Sequence, residues 1–470
     1  GENLSKLVDD FFASFNLPQN ILQRKNFIED NNSSELIYNS PFGEPSLIFL
    51  KKIKIDKSFN SDFFRNYFAG LIPQLKNKSI ENLNIIVPSF SSFPTHFESD
   101  DYLIQTIIEG IHLGNYDFDK YKSSKKEKIN LKIHIHYTDK TKVKNVIDKT
   151  NILMQSVLFA RDLVNEPAIN LTPIEFAKRT KKELSNKNIT VTIFDKKELQ
   201  KRKMNAILAV GSGSSNDPLM MYIHYKPKNA TKRIALVGKG VTYDSGGLSI
   251  KPTSGMIEMK ADMAGGALVV GTIQAASKLN LPVELIGVVP CVENMLSGSS
   301  YKPGDVIIAS NGKSIEVKDT DAEGRIILAD ALHFASQMKP DEIIDFATLT
   351  GAIVVALGEF YAGLFTKDDD IAKRIFNSSQ KTFERIWRMP FSDDFNSLIK
   401  SDIADVANLG SRWGGAITAA KFLENFVDEK IAWAHLDIAG PALKHDLNNY
   451  TKKWNTGFGV RLMIDYLKNI

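Results

Sequence analysis

Seven residues between Val237 and Arg325 have the types and spacing to do chemistry together. The segment VGKGVTYDSGGLSIKP (Val237 to Pro252) carries Lys239, Asp244 and Lys251, and EMKADMAGGA (Glu258 to Ala267) carries Asp262. DTDAEGR (Asp319 to Arg325) carries Asp321, Glu323 and Arg325. Carboxylates that converge on a site must be paired or must bind metal, because burying bare charge is costly. Carboxylate-rich ligation suits hard or borderline divalent ions, so zinc, manganese, magnesium and cobalt are all admissible. Four carboxylates balance two such ions. Hydrolysis at a two-metal site adds further negative charge, which Lys251 and Arg325 could offset. Lys239 is then left over unless it binds metal as a neutral amine, its pKa driven down by the cations. The cluster reads as a two-metal hydrolytic centre.

Local spacing says how these groups are presented. Asp321 and Glu323 are one residue apart, so an extended backbone projects both to one side, whereas a helix would set them about 200° apart. The following helix is therefore expected to begin after Gly324. Asp244 lies in YDSGG, where paired glycines let backbone approach a bound ion closely.

Other chemistries fit less well. Taken singly, each acid reads as a surface group or helix cap, but that account does not explain the whole set beside glycine turns. Neither GKG nor GSGSSNDP (Gly211 to Pro218) matches the phosphate-loop pattern, so nucleotide binding is not expected. His333 and His435 are expected to be packing residues rather than members of a nucleophilic triad. His134 and His136 share one face of a strand, but without a nearby Cys or carboxylate they read as an exposed strand face. The lysine-rich stretch Lys120 to Lys132 has little aromatic interleaving and reads as a solvated loop.

The elements that must position the cluster follow from periodicity. Residues before about 150 alternate helical patterns (Asp62 to Leu75, Asp101 to Leu113) with strand-like runs (Asn82 to Pro88, Leu131 to Tyr137). A long helix is expected from about Lys142 to Asn165, ended by Pro167 and Pro173, and a second from Thr172 as N-cap to about Leu184. Strands Ile189 to Phe194, Ile234 to Gly238, Val283 to Val289 and Glu342 to Thr348 then alternate with helices Gly265 to Leu279 and Gly324 to Met338. Such alternation predicts an α/β protein whose larger C-terminal domain has a mostly parallel central sheet flanked by helices, with ligands at the carboxyl ends of its strands. The expected layout is a smaller N-terminal α/β domain (1–145), a connecting helix (146–166) and a catalytic domain (167–470).

Composition sets the outer bounds. A chain of 470 residues exceeds the usual ceiling for one core, so two domains are expected. A net charge of +4 is weak for this length and does not by itself argue for nucleic acid or an acidic membrane. The single cysteine, Cys291, excludes an internal disulfide framework and fits a reducing compartment. GENLSKLVDD at the start has no signal-peptide core, and apolar runs such as Gly351 to Leu357 are too short to span a bilayer. A cytoplasmic location without membrane partners is expected.

The three segments resemble the leucyl aminopeptidase family (peptidase family M17, the cytosol aminopeptidase or bacterial aminopeptidase A type). The family's NTDAEGR is similar to DTDAEGR here, and its metal-binding strand-turn is similar to GKGVTYDSGGLSIK. The resemblance extends through ARDLVNEPA, ATLTGA (Ala347 to Ala352) and NLGSRWGGAITAA (Asn408 to Ala420), with little of it in the first 150 residues. It implies a metalloaminopeptidase that releases N-terminal residues, leucine favoured, through a water activated by two metals. By position, Asp244 and Glu323 would bridge both metals, Lys239 and Asp262 would complete the more exchangeable site, and Asp321 the tighter one. Lys251 would polarise the scissile carbonyl, and Arg325 would hold a bicarbonate serving as general base. Met259, Thr348, Leu349 and Gly351 fall where the family lines its substrate cleft. Peptides with a free N-terminus are the implied partners, and a homohexamer the implied assembly.

One departure from the family pattern is Asp319, where asparagine is usual. It either faces the metals and alters their affinity or caps the following turn, and capping is the expectation. Nucleic acid is not expected as a partner, although some bacterial relatives bind duplex DNA. A catalytically silent scaffold is disfavoured by the complete ligand set.

Overall fold

The computed structural model describes residues 34–39, 46–51, 57, 59–87, 89–93, 95–124, 131–137 and 140–470. Pro88 and residues 125–130 of the lysine-rich stretch lie outside the described residues. The described residues divide into two compact units, one reaching Asn115 and including Tyr121 to Thr150, the other comprising Tyr116 to Lys120 and Asn151 to Ile470.

The first unit holds an antiparallel hairpin, β1 (Ser34–Asn39) with β2 (Ser46–Lys51), and a parallel pair, β3 (Asn82–Ile86) with β4 (Lys132–His136). Helices α1 (Phe63–Asn77) and α2 (Asp100–Asn115) pack on each other. They pack closely because α2 offers glycine where α1 backbone arrives. A Cβ on Gly110 would lie 2.5 Å from the Arg65 carbonyl oxygen, and one on Gly114 would lie 2.4 Å from that of Ala69. Arg65 and Glu109 are both buried at this crossing and form an ion pair. The core beside it is aromatic, with Phe59, Phe64, Phe93 and Phe97 in mutual ring contact. On β4, Ile133 and Ile135 pack on this core while His134 is exposed and His136 meets the Asn84 side chain at 3.0 Å, as expected for a solvated strand face.

Helix α3 (Lys140–Asn165) leads to α4 (Pro173–Glu183), which starts with Thr172 as N-cap and proline at its first position. The catalytic sheet uses β5 (Ile189–Phe194), β6 (Leu219–Tyr225), β7 (Arg233–Gly238), β8 (Gly240–Asp244), β9 (Glu284–Asn294), β12 (Glu342–Ala347), β13 (Ala362–Phe365), β14 (Ile386–Arg388) and β16 (Ala432–Asp437). A small separate sheet holds β10 (Val306–Ile308), β11 (Ser314–Glu316) and β15 (Val406–Ala407). The main order is β14-β13-β16-β12-β7-β9-β6-β5, with β8 also pairing β9. Its centre, β16-β12-β7-β9, is parallel throughout, while β6 runs antiparallel to both β9 and β5, and β13 antiparallel to β16. The parallel centre is the expected one. Strand β6 was not anticipated; it follows two short helices, α5 (Lys196–Lys201) and α6 (Asn205–Val210), and runs antiparallel to its neighbours.

Helix α7 (Ala264–Lys278) covers one sheet face and α8 (Glu323–Gln337) the other. Strand β9 shows the alternation: Ile286 and Val288 join the cluster around α8, whereas Gly287 lies against Ile273 and Val269 of α7. Strands buried on both faces read as near-continuous apolar runs, and all of β9 is buried. Among the described residues, no helix is long and apolar enough to cross a membrane.

The N-terminus of α7 is pressed onto the ends of β7 and β12. A Cβ on Gly265 would lie 2.1 Å from the Phe346 carbonyl oxygen, and one on Gly238 would lie 2.4 Å from that of Gly265. Backbone atoms cannot rotate away, so Gly265→Ala should destabilise the catalytic unit by about 1–3 kcal/mol, the usual cost of overpacking. Gly298→Ala, with nothing within 4 Å of the added carbon, is the control and should stay within about 0.5 kcal/mol of the parent. Denaturant unfolding of both variants checks this.

Candidate metal centre

Four of the clustered side chains sit where a strand ends or a helix begins. Lys239 follows β7, Asp244 closes β8, Asp262 precedes α7, and Glu323 is the first residue of α8. After Asp244 the chain turns through Gly246 and Gly247, at φ +86° and +64°, a region that L side chains rarely adopt. The Lys251 N–H returns to the Ser245 carbonyl at 2.9 Å, which brings the Lys251 side chain back over the site.

Lys239 is the hub. Its ammonium, 3% exposed, donates to Asp262 Oδ1 at 2.7 Å, to Glu323 Oε1 at 2.8 Å and to the Thr348 carbonyl at 3.0 Å. It passes the start of α8 because position 324 is glycine; a Cβ there would lie 2.5 Å from Lys239 Cε. Thr348 also donates its hydroxyl to Asp262 Oδ1 at 2.7 Å. Lys251 pairs with Asp244 Oδ2 at 2.9 Å and with the Asp321 carboxylate. Arg325, buried on the first turn of α8, donates to the Asn408 carbonyl at 2.7 Å.

Asp244, Asp262 and Glu323 each offer an oxygen within 4.8 Å of the others. Two buried carboxylate oxygens there, Asp262 Oδ2 and Glu323 Oε2, have no hydrogen-bond partner. Such oxygens are costly to leave bare, and divalent cations satisfy them. The donor set therefore fits metal.

The electrostatics agree. Burial, aided by Glu323 and Asp244, raises Asp262 well above the ordinary carboxylate range despite Lys239 beside it. Burial and the charge of Asp244 raise Glu323 as well. Asp321 is pushed up to about 7 by burial and by Asp244, against the pull of Lys251. Burial alone would depress Lys239, but Asp262, Glu323 and Asp244 outweigh it and hold its pKa above the ordinary lysine value. Arg325 is lowered by burial to about 10. Perturbation of this kind in a cluster is characteristic of functional sites.

The structure thus brings together Lys239, Asp244, Lys251, Asp262, Asp321, Glu323 and Thr348. Met259 lies half-buried in the turn leading to Asp262, and Leu349 packs partly on the core cluster. Gly351 opens α9 (Gly351–Leu357) onto free space, with nothing within 4 Å of a built Cβ. One expectation needs correction. Helix α8 begins at Glu323 rather than after Gly324, and Ala322 (φ −106°, ψ 40°) is not extended. The two acids consequently diverge: buried Glu323 faces Lys239, while Asp321, its side chain 33% exposed, faces Lys251. Asp319 accepts the Asp321 N–H at 2.8 Å, as expected of a turn cap.

Three polar residues behind the ligands escaped the sequence reading. Asn294 donates to Asp244 Oδ1 at 2.8 Å and to the Thr320 carbonyl at 2.9 Å. Thr320 donates its hydroxyl to the Gly246 carbonyl at 2.6 Å and accepts the Ser249 N–H at 2.8 Å. Tyr301 reaches the Thr320 carbonyl at 2.7 Å. Together they fasten the 244–251 turn to the 319–325 segment. The available signal was Asn294 itself, a carboxamide at the end of a buried strand.

The catalytic domain of the cytosol aminopeptidase family matches residues 158–464. The chain belongs to that family. It is 43% identical over 428 residues to a probable cytosol aminopeptidase of Chloroherpeton thalassium, covering 87% of this chain and 84% of that protein. A second probable cytosol aminopeptidase, from Chlorobium phaeobacteroides, is 40% identical over 465 residues, 94% of this chain and 90% of that one. Among solved structures, the bottromycin maturation enzyme BotP in complex with Mn superposes with a TM-score of 0.85 at 31% identity, covering 95% of each chain. Family membership makes this chain a metal-dependent aminopeptidase acting on peptides.

The raised proton affinity of Asp321 has a measurable consequence. With a folded pKa of about 7 against 3.8 ordinarily, the folded state binds the extra proton between those values. Stability of the metal-free protein should therefore fall as pH rises from about 4 to about 7 through this group, and stay low above it. Asp321→Asn should flatten that decline in thermal midpoint between pH 5 and 8. Added manganese should raise the parent's midpoint more at pH 8 than at pH 5, since ligation requires the ionised carboxylate.

Proposed function

We propose that this chain releases N-terminal residues, leucine favoured, from peptides, using two divalent ions held by Lys239, Asp244, Asp262, Asp321 and Glu323. The observation that carries this is the pair of buried, unpartnered oxygens on Asp262 and Glu323 beside Asp244. In this reading Asp244 and Glu323 would serve both ions, Lys239 and Asp262 the more exchangeable one, and Asp321 the tighter one. When bound, such ions supply Lewis acidity and a water nucleophile at neutral pH.

The chain's own groups do the rest. Lys239 would ligate as a neutral amine. Lys251 would aim its ammonium at the oxygen of the scissile carbonyl and stabilise the charge that develops there. Arg325 would hold a bicarbonate, which would supply a general base. The peptide's amino terminus sits beside Asp262, which limits cleavage to one residue at a time. Met259, Thr348, Leu349 and Gly351 line the cleft for the leading side chain. Zinc or manganese suits this donor set best, with magnesium or cobalt admissible. A cytoplasmic homohexamer is the setting this reading implies.

Chelator-stripped protein should hydrolyse leucine p-nitroanilide only after manganese, zinc or cobalt is returned, and should not cleave the N-acetylated substrate. Activity that survives full metal removal would overturn the two-metal reading. Lys251→Ala should lower kcat about 100- to 1,000-fold, the usual range for losing one oxyanion donor. Its metal content should match the parent's, and loss of the metals instead would show that Lys251 is wrongly assigned.

A further inference from the structure

Residues 317–322, between β11 and α8, carry Asp321 but belong to no strand or helix. Val317 is still tied to Gly304 and Asp305 by backbone bonds, but beyond it no backbone ladder fixes the register on which the site depends. On one side they are held by Asn294, Tyr301 and the hydroxyl contacts of Thr320. On the other side Asn408 supplies most of the bonds to their peptide groups.

Asn408 follows β15 and is 0% exposed. Its backbone N–H donates to the Glu316 carbonyl at 2.9 Å, extending the β11–β15 pairing by one step. Its side-chain oxygen accepts the N–H of Lys318 at 2.7 Å and that of Asp319 at 3.3 Å. Its side-chain nitrogen donates to the Asp319 carbonyl at 2.6 Å and to the Ala322 carbonyl at 3.4 Å. Its own carbonyl accepts from Arg325 at 2.7 Å. A carboxamide has two donors and one two-lone-pair acceptor, and here all are used. These bonds grip peptide groups on both sides of Asp321, and the same residue aims the Arg325 guanidinium.

We propose that Asn408 is a positioning residue that sets the register of the Asp321 segment and the direction of Arg325, so that the tighter metal site and the cation beside it form as one unit. This rests on the reading of the cluster as a two-metal site. No carbon-only or acidic side chain reproduces it. Alanine removes all four side-chain bonds, and aspartate, though the same size, would set an anion against the Asp319 and Ala322 carbonyls.

The test uses the full chain carrying Asn408→Ala and, as a near-isosteric second variant, Asn408→Asp. Asp330→Ala is the control: Asp330 is buried two turns along α8, where it accepts the N–H groups of Ala206, Ile207 and Ser310, and it touches none of the site residues. Each protein is stripped, and manganese is titrated back with calorimetric readout, followed by steady-state hydrolysis of leucine p-nitroanilide. Losing an outer partner of a ligand typically costs 10- to 100-fold in metal affinity. Both Asn408 variants should weaken the tighter manganese by about that factor and lower kcat at least about 10-fold, with KM within about threefold. The control should lose thermal midpoint but keep the parent's manganese affinity and kcat. The proposal fails if folded Asn408 variants bind manganese like the parent, or if the control shows the same weakening. An inactive parent would instead sink the aminopeptidase reading, while the manganese isotherms would still decide the role of Asn408.

Discussion

The arrangement at the strand ends depends on one constraint: three carboxylates are buried together and must be neutralised without water. Two lysines meet it, Lys239 bridging Asp262 and Glu323 and Lys251 pairing with Asp244. Removing a partner from such a group is costly, because an uncompensated charge stays behind. The Lys239 ammonium still leaves Asp262 Oδ2 and Glu323 Oε2 bare, and both acids retain raised proton affinities. A chain selected for stability alone would fill this volume with apolar groups. Buried acids held together but incompletely satisfied are a mark of a functional site.

Backbone geometry makes the neutralisation possible. The parallel centre of the sheet brings the ends of β7 and β12 to one edge, and the starts of α7 and α8 close on them from opposite faces. Helix N-termini favour negative charge, and Asp262 and Glu323 stand at two of them. A lysine between two such termini is repelled by both dipoles, so its place depends on the acids. Glycine at 238, 265 and 324 removes the side chains that would otherwise hold these backbones and Lys239 apart.

Much of this was legible in the sequence, and the exceptions have a common cause. Long periodic helices and apolar strands announce themselves locally, as do acids spaced beside glycine turns. The start of α8 was misread by one residue because the Asp-Ala-Glu spacing suggested an extended stretch, whereas the conformation at Ala322 turns Glu323 inward. Asn294, Thr320 and Asn408 were missed because their meaning lies in partners distant in sequence. His435 teaches the same lesson. Expected to be a packing residue, it is fully buried, yet it shares a 2.6 Å hydrogen bond with Asp345, its register partner on the neighbouring strand. No local pattern reveals a neighbour ninety residues away.

Asp319 shows how far geometry settles what a family comparison leaves open. An acid in place of the usual amide could have added a fifth charge to the metal cluster. Its Oδ1 instead accepts the Asp321 N–H, and its backbone is gripped by Asn408. An amide oxygen can accept the same N–H, so both residue types support the same turn. What the acid adds is charge, and that charge is felt by Arg325, whose guanidinium it favours against the cost of burial. Aspartate at this position therefore places its charge where Arg325 feels it. Buried Arg325 leans on Glu323, Asp437 and Asp319 in that order, so the substitution adjusts a balance that the other two acids already dominate.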